Sequence, residues 1–64
     1  MTVCDLYKCL SDDCPVDIYQ DSKLLYTGHA YDIPIGLMNA SVKKISVVYD
    51  DRRMNMVWKL FLEG

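Results

Sequence analysis

Apolar positions along the chain recur with two different periods. Val3, Leu6, Tyr7 and Leu10 fall at i, i+3, i+4 and i+7, the spacing of one stripe on a helix. Thr2 followed three residues later by Asp5 has the form of a capping box. The spacing predicts a helix from about Val3 to Leu10, ended by Ser11-Asp12-Asp13 and barred from continuing by Pro15. A helix this short is unstable alone in water, so it has to dock on something.

From Val16 the period changes to two. Val16-Asp17-Ile18-Tyr19 alternates and is rich in β-branched and aromatic residues. Gln20 to Lys23 reads as a turn and Leu24 to Gly28 as the returning strand, with Gly28 suggesting a bulge or bend. Asp32 before Pro34 predicts a second helix entry, giving a single turn from Pro34 to Met38 that ends at Asn39-Ala40-Ser41. Val42 to Tyr49 is a predicted strand, and Asp50-Asp51-Arg52-Arg53 a polar turn. Met54, Met56, Trp58, Leu60 and Leu62 then alternate with Asn55, Val57, Lys59 and Phe61, the strongest strand pattern in the chain.

These elements predict an α+β protein of order α-β-β-α-β-β. Its short N-terminal helix packs on a roughly four-stranded antiparallel sheet made of two hairpins. The face under the helix is expected to carry Val16, Ile18, Ile45, Val47, Met56, Trp58 and Leu60, leaving Val57 and Phe61 exposed on the other. With 64 residues the chain forms one domain, residues 1–64, of marginal stability. A content of 52% hydrophobic residues is too apolar for disorder. No apolar run approaches the roughly 18 residues of a bilayer span. The N-terminal residues lack a basic and an apolar region of the signal-peptide kind. The expectation is a cytoplasmic protein with no membrane partner.

Charge is uneven. Residues 1–32 carry six aspartates against two lysines, a net of −4, and residues 33–64 carry five basic against three acidic residues, a net of +2. The asymmetry is compatible with solvated faces, with self-association, or with an anion-binding surface. Candidate phosphate holders are Lys43, Lys44, Arg52 and Arg53, beside Lys59. The pI near 5.0 argues against a nucleic-acid binder.

Candidate chemistry narrows the picture further. Cys4, Cys9 and Cys14 are five apart. On a helix that spacing turns Cys4 and Cys9 roughly 140° from one another, unlike the close pairs of a zinc site. They read as reduced thiols, and no metal or other cofactor is expected. His29, the only histidine, has no nucleophile signature beside it, so the expectation is a protein that is not an enzyme. The five tyrosines and Phe61 exceed what so small a core can bury. Tyr19, Tyr26, Tyr49, Val57 and Phe61, with the charged turn from Asp50 to Arg53, are therefore expected to contact a second copy or a target protein.

The stretches Thr2-Val3-Cys4-Asp5-Leu6, Val16 to Gly28, Asp32 to Ile35 and Val42 to Asp50 together resemble small proteins of phages and mobile elements in Gram-positive bacteria. The resemblance spans most of the chain. Its motifs are structural rather than catalytic, so no binding residue carries over. It implies an anti-defence (anti-CRISPR-like) inhibitor, which would bind a host defence protein or sequester a nucleotide signal as a homo-oligomer. On the first reading the protein is a non-enzymatic interaction module. On the alternative it is a small-ligand binder with its site between subunits.

Overall fold

The computed structural model describes residues 1–64. The capping box at Thr2 closes in both directions. The Thr2 hydroxyl accepts from the Asp5 N–H at 3.2 Å, and the Asp5 carboxylate accepts from the Thr2 N–H at 3.0 Å. It opens α1 (Val3–Tyr7). This helix is shorter than the apolar stripe suggests because its last turn tightens. Cys9 N–H donates to Leu6 O at 2.9 Å and Leu10 N–H to Tyr7 O at 3.1 Å, three-residue bonds that close off an α-helix. The stripe itself survives, with Val3 and Leu6 buried and Tyr7 and Leu10 packed beside them.

Four strands follow: β1 (Pro15–Gln20), β2 (Lys23–His29), β3 (Val42–Asp50) and β4 (Asn55–Leu62). Asp21 and Ser22 both have left-handed backbones (φ 52° and 67°), as a tight two-residue hairpin turn requires. Between β2 and β3 lie a 3-10 turn (Ala30–Asp32) and α2 (Ile35–Met38). Asp32 makes no cap for α2. Pro34, with an extended ψ of 138°, stands at the capping position instead.

The expected antiparallel sheet is corrected to a mixed one. Strand order is β2-β1-β4-β3, and the central pair β1 and β4 runs parallel, with Val16 beside Trp58, Ile18 beside Leu60 and Tyr19 beside Phe61. The two hairpins themselves are antiparallel. The parallel pair arises because the segment from Ala30 to Ser41 carries the chain from one edge of the sheet to the other. A crossover of about a dozen residues is what strands running in the same direction need. The N-terminus locks its far end, where Val3 N–H donates to Ala40 O at 3.0 Å and Val42 N–H to Met1 O at 2.8 Å.

The bulge of the first hairpin falls between Ile18 and Tyr19, which face Tyr26 and Leu24 and leave Leu25 as the extra residue. It is not at Gly28. That glycine stays opposite Val16 with φ 153°, and a Cβ there would stand 2.8 Å from the Tyr26 hydroxyl.

The core lies between the sheet and the helices: Val3, Leu6, Val16, Ile18, Ala30, Ile33, Leu60 and Leu62. Of the inward residues expected, Val16, Ile18 and Leu60 are buried, and Ile45 and Trp58 pack against them. Val47 and Met56 remain 42% and 45% exposed. The two short helices leave the tip of the second hairpin uncovered.

Candidate interaction surface

The face of the sheet opposite the helices carries the molecule's densest set of polar and aromatic contacts. Tyr19 on β1 and Phe61 on β4 are register partners, and their rings stack with centroids 5.3 Å apart and planes 15° from parallel. Lys44, opposite Phe61 on β3, holds its Nζ 5.7 Å from the Phe61 ring centre. Lys59 holds its Nζ 5.5 Å from the Tyr19 ring centre and donates to the Tyr19 hydroxyl at 3.5 Å. Each ammonium faces the electron-rich side of a ring, so the face presents two stacked rings with a cation on each. Three strands, β1, β3 and β4, contribute because β4 lies between β1 and β3.

Toward the other end of the same face lies an ion-pair network. Asp17, only 6% exposed, accepts from Thr27 Oγ1 at 2.6 Å and from Arg53 Nη2 at 2.9 Å. Arg53 Nη2 also donates to Thr27 Oγ1 at 2.6 Å, and its Nε lies 3.5 Å from Asp50 Oδ2. Thr27 and Asp17 are register partners across the first hairpin, whereas Arg53 reaches them from the tip of the second. Its side chain therefore passes over the start of β4, on the side where Val57 lies. The expectation that Val57 is exposed is corrected: it is fully buried. It sits on a central strand between β1 and β3, paired with Val48. Beside the network is a half-open cleft of about 360 Å³ lined by Asp13, Pro15, Thr27, Gly28, His29, Arg53 and Asn55. His29 stacks there on Tyr31 with ring centres 5.2 Å apart.

The remaining expected contact residues lie elsewhere. Tyr26 belongs to the helix side, half-buried against the core, and its hydroxyl donates to His29 O at 2.6 Å. Burial, then the nearby Asp32 and Tyr31, push its phenol above the usual range. Tyr49 stands exposed at the uncovered tip, paired with Met56. The structure thus brings Tyr19 and Phe61 together and separates them from Tyr26 and Tyr49.

The basic residues are also divided. Lys43 and Lys44 begin β3, and Arg52 and Arg53 occupy the turn beyond its end, roughly 20 Å away at the rise of a strand. Arg52 N–H donates to Asp50 Oδ1 at 2.9 Å, which shapes the turn, and Arg53 is engaged by Asp17 and Asp50. No three His, Cys, Asp or Glu side chains group closely enough to share a metal ion. The cysteines are free thiols, and burial, followed by the charge of Asp13, pushes that of Cys14 up.

Sequence reasoning missed Asp17 and Thr27 as a unit. The available signal was an acidic residue in a strand otherwise made of Val, Ile and Tyr. A buried carboxylate there needs a partner, but the register that supplies Thr27, and the reach of Arg53, are set by the tertiary fold. No protein-family model, curated protein or solved structure matches the chain. No helix is long and apolar enough to cross a membrane.

Proposed function

We propose that this chain is a non-enzymatic protein-interaction module that works as a homo-oligomer and occludes the surface of a partner with its open sheet face. The observation carrying this reading is the Tyr19–Phe61 stack with Lys44 and Lys59 beside it, standing on a sheet face that no helix covers. Rigid aromatic groups next to cations are the residue types that dominate protein contacts. The preformed stack lowers the ordering cost of binding. The resemblance to small phage proteins suggests a bacterial defence protein as the surface occluded.

The test is co-expression with a panel of bacterial defence systems while scoring phage plating. Wild-type protein is expected to restore plating against one of them. Phe61→Asp, which removes half of the stack at a half-buried surface position, is expected to lose that effect while keeping its circular dichroism spectrum. No rescue by wild type against any system, or full rescue by Phe61→Asp, overturns the reading. Native mass spectrometry supplies the second check. A bare homo-oligomer supports the proposal, and an oligomer retaining a few hundred extra daltons would replace it with a ligand-binding role.

A further inference from the structure

We propose that two copies of the chain join through the free edge of β3, in an antiparallel register centred on Val47, to make one continuous eight-stranded sheet. This rests on the homo-oligomeric reading above and names the surface that makes the oligomer. β3 is the longest strand and lies at the sheet edge. Its outer side is capped only at the start, where Val42 N–H donates to Met1 O. Beyond that point its backbone groups are free to pair with another strand. Past the bulge at Lys43, the regular part of the strand carries Lys44, Ile45, Ser46, Val47, Val48, Tyr49 and Asp50 in turn.

The occupant follows from the order of those residues. A lysine on an edge strand ordinarily repels an approaching copy. In an antiparallel pairing about Val47, however, Lys44 meets Asp50 of the second copy. Ile45 then meets Tyr49, and Val47 meets itself. The two charged positions of the regular strand, Lys44 and Asp50, face each other and the apolar positions on the helix side face one another, the pairings that stabilise antiparallel strands. Sliding the axis one residue toward the tip sets Asp50 against Ser46 and leaves Lys44 beyond the end of the partner strand. A parallel arrangement in register sets lysine against lysine. This register therefore satisfies the strand, and it ends at Lys44–Asp50, short of Val42, whose N–H Met1 already covers. Val47 and Tyr49, 42% and 54% exposed in the single chain, gain apolar neighbours.

The two-fold axis runs perpendicular to the sheet and keeps the helices of both copies on one side. The other side becomes a single surface carrying both Tyr19–Phe61 stacks, so that dimerisation doubles the face without covering it.

The axis at Val47 gives a specific test, read by native mass spectrometry and light scattering on the full chain. Wild type is expected to be a dimer. Val47→Glu and Val47→Lys each place two like charges opposite each other on the axis and are expected to weaken self-association on the order of a hundred-fold, giving folded monomers. Mixing the two variants in equal amounts is expected to restore a dimer containing one of each, which also shows that neither had merely unfolded. A wild-type oligomer whose mass Val47→Glu leaves unchanged overturns the edge while leaving the homo-oligomeric reading intact. Variants that become monomeric but fail to recombine overturn the register. A wild-type monomer overturns both.

Discussion

On the helix side of the sheet, Val16, Ile18, Leu60 and Leu62 lie in a dry layer under Val3 and Leu6. On the opposite side a single apolar residue, Val57, is fully buried. The rest of that surface is a stacked ring pair, two lysines and an aspartate held by a threonine and an arginine. The same strands build both faces, so the difference comes from which residue types fall at alternate positions and from where the helices sit. Apolar burial is non-directional and supplies most of the favourable free energy of folding. Ion pairs and hydrogen bonds add little net stability but fix geometry, because a wrong register leaves a buried charge unpaired. The helix side therefore holds the fold together, and the opposite side sets alignment between the hairpins while keeping aromatic surface available.

The largest expected effect breaks this comparison on the helix side. Leu60 is fully buried on a central strand, and Leu60→Ala should cost about 2–5 kcal/mol through lost burial and the cavity left behind. A domain of this size has a total stability of roughly 3–10 kcal/mol, so the variant should be largely unfolded at 37 °C or melt far below wild type. A urea midpoint close to wild type would show that the dry layer does not carry the fold.

Asp17→Ala makes the matching cut on the other face. It strips the acceptor from Thr27 and leaves the Arg53 guanidinium facing a site it can no longer neutralise. A fully buried pair broken in this way costs about 3–5 kcal/mol. Arg53 keeps 32% of its side chain exposed and can turn to water, so about 2 kcal/mol is expected. The cost should fall if Arg53 is replaced as well, because the orphaned charge is then gone. A double-mutant cycle reads that coupling directly, and independent effects would mean that the network contributes nothing as a unit.

The two faces were unequally legible in the sequence. Alternation from Met54 to Leu62 placed Trp58, Leu60 and Leu62 together, and the Val3–Leu10 stripe placed the helix over them, since both patterns are local periodicities. Strand neighbours are not local. Nothing in Val16 to Tyr19 or in Asn55 to Leu62 states that these two strands lie side by side and parallel. That depends on the crossover from Ala30 to Ser41, whose helical pieces are too short to leave a periodic trace. The same gap concealed the candidate surface. Tyr19 and Phe61 were both expected to be exposed, but their stacking follows from the β1–β4 register. Alternation sets Val57 on the face opposite Trp58, yet its burial follows from the place of β4 between β1 and β3. Val47 and Met56 were assigned to the inner face by parity, which fixes the side a residue points to but not how far the helices extend over it.

The smallest effect sharpens the helix side at the capping box of α1. Asp5 has its carboxyl held below the ordinary value of 3.8, first by the backbone N–H of Thr2 and then by the Thr2 hydroxyl. A carboxylate with a depressed folded-state pKa contributes stability that is present above the unfolded-state value and lost as pH falls through the folded one. Stability from this contact should therefore be constant near neutral pH and decline below about pH 4. Asp5→Asn retains an acceptor for the Thr2 N–H but cannot titrate, so its melting temperature should fall less steeply than that of wild type between pH 4 and the acid limit, as followed by circular dichroism on solutions of about pH 2 to 7. Parallel acid limbs in the two proteins would mean that the charge of Asp5 adds nothing to the capping box. The helix would then be held by the packing of Val3 and Leu6 and by uncharged hydrogen bonds, as the contrast between the two faces would have it.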